Sequence, residues 1–329
     1  IDDSTVITTA RTIVGGVVGG NDATGVRTGV LNKGNVYVGG SMAELWMGGV
    51  AGQNRVPLTG AKNYGEGKCT AVCSKSMLVA GLICVHARHY YDKNSTSIKT
   101  GDAADGFLTD CENHGSVIVD NKTTTLSHIN VGGVCKQGQQ DMIGCINYGD
   151  ITVNGDCLGT LYAAGLVVAN SAEPRKNCYN KGKITINSAN VGGASNTGSD
   201  LFVGGICYSG GSNTPYTNVH NEGDIEIGEN VKVANCVRVA GFIPNVETAS
   251  KTNTLENCSN SGNIIVKSTQ SLYSAGVCRI GGIFAQWQNG IVKFIGTVKN
   301  SGNITFAGNQ TQNIGTSLGG IIGGSDDKV

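Results

Sequence analysis

The chain carries no surplus charge: 24 Lys and Arg stand against 24 Asp and Glu among 329 residues. A neutral chain gives nucleic acid or an anionic membrane surface little to hold, so neither is expected as a partner. Proline is nearly missing, at 4 residues, and the 51 glycines keep no three-residue period. Collagen and proline-rich disorder are thereby excluded. Aromatic residues make up only 5% of the chain. No apolar run reaches the length of a membrane-spanning helix, so no transmembrane segment is expected. The opening IDDSTVITTA lacks the basic and apolar regions of a secretion signal, and neither end reads as a capping element. Trimming from a longer chain is therefore expected.

What the sequence has instead is repetition. CINYGDITV (Cys145 to Val153) recurs in close variants as CENHGSVIV, CYNKGKITI, VHNEGDIEI, CSNSGNIIV and VKNSGNITF. The word Asn-x-Gly begins at Asn32, Asn63, Asn113, Asn147, Asn180, Asn221, Asn260 and Asn300. It alternates strictly with a second word, Gly-Gly or Ala-Gly followed by an apolar residue, ending on Gly16, Gly49, Gly81, Gly133, Gly165, Gly205, Gly241, Gly282 and Gly320. Between the words, apolar residues fall on every second position, as in Ile151/Val153, Ile184/Ile186 and Ile225/Ile227. That period is the mark of a half-buried strand. The predicted fold is all-β: a single domain over residues 1–329, folded as a right-handed parallel β-helix of about eight coils with about three short strands each.

The corner pairs Asn113/Gly115, Asn147/Gly149, Asn180/Gly182, Asn221/Gly223 and Asn260/Gly262 are expected to stack as a ladder. The Asn amides would hydrogen-bond along the axis at strand spacing. Glycine would supply a positive φ at the turn, and Asn would tolerate a left-handed or bridging one.

These words resemble the GLUG-type repeats of bacterial cell-surface proteins, from VGGVVGG at Val14–Gly20 to LGGIIGG at Leu318–Gly324. The resemblance implies an extracellular or cell-surface address, with outer-membrane anchoring as one form, and an adhesin-like role. This chain departs from the short family unit in its longer, variable repeats. It also has no His-Glu-x-x-His string, and no peptidase role is carried over.

Four of the 12 cysteines, Cys111, Cys145, Cys178 and Cys258, sit two residues before the corner Asn. Val30, Ala61, Val219 and Val298 fill that slot elsewhere. A slot that takes Cys, Val or Ala is small, buried and apolar, so a ladder of reduced thiols is expected, with axial disulfides as the alternative. The pair Cys69 and Cys73 lacks the spacing of a zinc site, and no metal or cofactor is expected.

One interval is abnormal. Gly81 to Asn113 spans 32 residues where the other such intervals span 14 to 19. This insertion, at about 85–108, holds His86, His89, Tyr90, Tyr91 and Asp92. Aromatics and carboxylates on a loop projecting from a solenoid suit a glycan or protein ligand. Trp46 and Trp287, each near a Gly-Gly word, are expected to pack laterally. The function expected is a non-enzymatic surface protein: an adhesin, or an accessory binding or structural subunit of a larger surface assembly. The alternative is a polysaccharide-acting lyase or glycosidase, which needs carboxylates converging from neighbouring turns.

Overall fold

Among the described residues, parallel pairing governs every sheet but one. The computed structural model describes residues 6–21, 27–86, 89–91, 98–100, 107–121, 128–138, 141–170, 173–192, 198–209, 213–246, 252–267, 270–271, 277–288, 291–307 and 315–325. These residues contain strands and turns and no helix. Strands one repeat apart lie side by side in stacked parallel sheets, a solenoid-like arrangement. Ile151 opposes Val117 on one side and Ile184 on the other, so equivalent side chains stack in columns.

One repeat shows how the words build the section. Its strands are Met142–Ile143, Ile146–Asn147, Ile151–Val153, Leu161–Ala164 and Val167–Asn170. That makes five paired segments where the sequence reading expects three. Two local causes divide the strands. The strand entering the Asn is broken by a left-handed residue, and the strand through the Gly-Gly word is broken at the word itself.

The left-handed position corrects the expectation for the corner. Gly149 and Gly182 do not have positive φ; the residue three before the ladder Asn does, as at Gly29, Gly60, Asp110, Gly144, Asn177, Asn218 and Asn257. Gly296 plays the same part four residues before Asn300. Only Gly, Asn and Asp fill this position, the residues that tolerate that backbone region best. At Gly149 the requirement is space. A Cβ there would lie 2.0 Å from the carbonyl oxygen of Gly115 in the preceding turn.

Two large clusters make up most of the core, and Trp46, Leu78, Cys84 and Val85 form a third, small one. One cluster joins the strands after the corner to the strands before the Gly-Gly word, through Val117, Ile151, Ile184, Ile129, Leu161 and Leu201. The other joins the thiol slot to the strands after the word, through Leu108, Cys111, Val134, Leu166 and Cys178. Between them the two words meet. A Cβ on Gly165 would sit 2.4 Å from Asn180 Nδ2, and one on Gly81 would sit 2.2 Å from Asn113 Nδ2. The second glycine of each word from Gly16 to Gly282 thus makes room for an Asn amide across the section. The first position holds Ala80, Ala164 and Ala240 in three turns, while in the others a Cβ on its glycine would lie 1.7–2.4 Å from a backbone carbonyl.

Candidate binding surface

The insertion is only partly described. His86 ends the strand Ile83–His86 and is buried, with Nδ1 3.1 Å from Asn54 Nδ2. Its place in the expected binding loop is therefore corrected. The strand continues the stack past the point where the loop was expected to leave, and carries the ring inside. His89–Tyr91 pairs antiparallel with Ile98–Thr100, forming a two-stranded ribbon. Asp92 and the side chains of His89, Tyr90 and Tyr91 lie outside what is described.

The corner interior is polar and satisfied. Asn113 Nδ2 donates to Asn147 Oδ1 at 2.8 Å, Asn147 to Asn180 at 2.8 Å, Asn180 to Asn221 at 2.7 Å and Asn221 to Asn260 at 2.6 Å. Each amide also donates to the carbonyl two residues on, at Gly115, Gly149, Gly182, Gly223 and Gly262. All five asparagines are buried.

Beside this ladder runs the thiol column. Cys111, Cys145, Cys178 and Cys258 are buried and outside any disulfide, as are the other eight cysteines. Cys145 Sγ lies 3.4 Å from Leu108 O, and Cys178 Sγ lies 3.4 Å from Met142 O, each a carbonyl of the preceding turn. Hydrogen bonds with Cys111 and Cys178, together with burial, push the Cys145 thiol well up. Burial, the largest cause at each, pushes Cys69, Cys135 and Cys207 up to about 12. Such thiols stay protonated and are poor nucleophiles.

The residue between Asn and Gly points the other way, into solvent. Tyr64, His114 and Tyr148 occupy this position in successive turns and stack face to face. Ring centroids are 4.5 Å apart at 13° and 4.6 Å apart at 12°. Tyr64 is 47% exposed and Tyr148 39%. The ridge continues through Lys181, whose amine lies 5.7 Å from the Tyr148 ring and 5.5 Å from that of Tyr179. Tyr179 in turn contacts His220 at 5.1 Å. The ridge's carboxylate is partnered, with Lys62 Nζ 2.9 Å and His114 Nε2 2.6 Å from Glu112 Oε2. Burial opposes ionisation of Glu112, but its bonds to His114 and Lys62 outweigh burial and hold the carboxyl below its usual range. Reading the repeats as columns reveals this ridge, since Tyr, His, Tyr and Lys follow Asn63, Asn113, Asn147 and Asn180. Reading along the chain hides it.

Other polar clusters are tied up internally. Glu44 takes hydrogen bonds from Arg11 at 2.8 Å and from Trp46 Nε1 at 2.9 Å, and the Arg11 guanidinium lies 3.9 Å over the Trp46 ring. Trp287 packs, half-buried, against the second core cluster. Asp200 accepts from Arg238 at 2.7 Å and from Asn235 at 2.8 Å. Among the described residues no three His, Cys, Asp or Glu gather as a metal site would require. No helix among them is long and apolar enough to cross a membrane. One Gly-x-Ser-x-Gly string does occur, at Gly315–Gly319, but it is a paired parallel strand. The serine-hydrolase motif needs a sharp strand-to-helix turn.

No family model, curated protein or solved structure matches this chain.

Proposed function

We propose that the chain is a non-enzymatic, adhesin-like repeat protein of a bacterial cell surface, and that its corner ridge binds glycan. In this reading the stack is a right-handed parallel β-helix of about eight coils, one for each Asn-x-Gly word, of the GLUG type that the words resemble. Right-handedness follows the general rule for parallel crossovers.

The observation that carries the reading is the exposed stack of Tyr64, His114 and Tyr148. Rings fixed against one another have already lost their rotamer freedom, so a ligand meets a surface that needs little further ordering. Tyrosine presents an apolar body and a hydroxyl, and the turns repeat them at about 4.8 Å intervals. The paired charges leave no strong field of either sign, which suits a neutral sugar chain. The carboxylates favour binding over catalysis: Glu112, Glu44 and Asp200 are each held by cationic partners. Glycoside hydrolysis instead needs two cooperating carboxyl groups, one with its pKa raised.

The test is titration calorimetry against a panel of neutral polysaccharides, with the double variant Tyr64→Ala/Tyr148→Ala beside the wild type. Affinity should fall at least about tenfold, the loss of roughly 1.4 kcal/mol, with melting nearly unchanged. Unchanged affinity, with loss on Tyr90→Ala/Tyr91→Ala instead, would move the site to the insertion. Release of new reducing or unsaturated ends from the same polysaccharides would overturn the non-enzymatic reading.

A further inference from the structure

The ring column leaves a ligand little choice of approach. Tyr64, His114 and Tyr148 lie nearly parallel, with centroids 4.5 and 4.6 Å apart, so His114 is covered on both faces. Tyr148 is covered on one face by His114, and the Lys181 amine stands 5.7 Å from its ring. A sugar cannot lie flat on His114, and each tyrosine keeps at most one face open. What the column turns to solvent is its edges.

Those edges carry polar atoms in a row. His114 Nε2 is held 2.6 Å from Glu112 Oε2. A carboxylate only accepts, so Nε2 donates, and in the neutral ring Nδ1 is an acceptor. Among the described residues none bonds His114 Nδ1, Tyr64 Oη or Tyr148 Oη. Three successive turns thus offer a hydroxyl, an acceptor and a hydroxyl. The ring edges between them carry the positive end of the aromatic quadrupole, which suits sugar oxygens. No such row runs across the section. Two residues either side of Tyr148 come Ile146, which is apolar, and Asp150, whose Oδ1 already accepts from Lys183 N at 2.8 Å. A ligand crossing the ridge meets one ring edge, whereas one lying along it meets three.

Building on the reading of this ridge as a glycan site, we propose that it takes an extended, unbranched glycan laid along the axis of the stack. One sugar falls to each turn, and its hydroxyls bond to the ring edges. The turns advance by about 4.8 Å, close to the length of one sugar in an extended chain. The two spacings are not identical, so the match holds over the few turns that carry rings and drifts beyond them. The seat is therefore three sugars long, one for each ring, or four with the turn of Lys181. Each further sugar on a chain already held binds at high effective concentration, so its bonds add to the affinity.

The test is calorimetry with β-1,4-linked glucose, mannose and xylose oligomers of two to six units, and with α-1,4-linked glucose oligomers as bent chains. At least one extended series should gain about threefold or more in affinity per sugar up to three or four units, and little after that. The bent chains should stay at the level of the disaccharide. The double variant Tyr64→Phe/Tyr148→Phe keeps both rings and their stacking and removes only the hydroxyls. It should bind the four-unit chain at least about fivefold more weakly, with wild-type melting. Three results would overturn the axial seat and leave the glycan reading standing: affinity flat from two units to six, equal binding of bent chains, or a double variant that binds like the wild type. Binding by no oligomer and no polysaccharide would remove both.

Discussion

At the scale of single residues, this chain is built on positions where one atom too many cannot be placed. The second glycine of each word from Gly16 to Gly282 faces an Asn amide, whereas alanine stands at the first position in three turns. Gly165→Ala should therefore cost about 1–3 kcal/mol or more by overpacking. Ala164→Gly should cost well under that, and denaturant midpoints compare the two directly. The thiols allow a second test, of pH. Seven of them, Cys69, Cys73, Cys135, Cys157, Cys207, Cys258 and Cys278, are pushed up to about 12 by burial. In the unfolded chain a thiol titrates near 8.5. Their stabilising effect is complete below that pH. It is lost as pH rises towards the folded value, because the unfolded state releases its protons first. Melting temperature should be flat from pH 7 to about 8.5 and fall steeply above it. Alkylation at pH 7.5 should leave the native cysteines unmodified and label all twelve after denaturation without reductant. Disulfide-linked peptides in that digest would contradict the stack of reduced thiols.

Among the elements, the two-residue strands beside the Asn are the least self-sufficient. Strands this short hold only because the turns above and below repeat them in register. The left-handed residue between them sets their direction, and its side chain also bonds across turns, as from Asn218 Nδ2 to Asn177 Oδ1 at 3.1 Å. Asn177→Val places a branched side chain at φ 53° and should lower stability by about 1–3 kcal/mol. Asn177→Gly should lie much closer to wild type, since it loses only an exposed hydrogen bond. Equal midpoints for the two variants would mean the segment can abandon that conformation. The ridge belongs to the same element. Its rings lie outside the packed section, so removing them should reduce binding without unfolding the strands beneath.

For the whole molecule, each turn touches the turns before and after it, so stability is a sum of nearest-neighbour terms. Interior turns have two such neighbours and terminal turns have one. Amide hydrogen exchange should therefore be slowest around Ile151 and Ile184. It should quicken towards Leu31 at one end and Lys299 at the other. Uniform protection from end to end would indicate a single cooperative unit instead.

The all-β class, the repeat and the inward and outward alternation can be read along the chain, because strand and turn rules act between near neighbours. Alternation at Ile151/Val153 and recurrence of Asn-x-Gly both need only local rules of strand and turn. What the sequence did not reveal depends on which residues the stack sets opposite one another. The pairing of Gly165 with Asn180, the burial of His86 and the stacking of Tyr64 on His114 and Tyr148 are contacts between residues far apart in sequence. The positive φ three residues before the Asn was written as Gly, Asp or Asn in varying order, too irregular to stand out as a word. Along the chain the corner glycine suggests a conformational need, whereas its reason is space. Only the tertiary structure shows that reason, because the atom it must avoid belongs to the neighbouring turn.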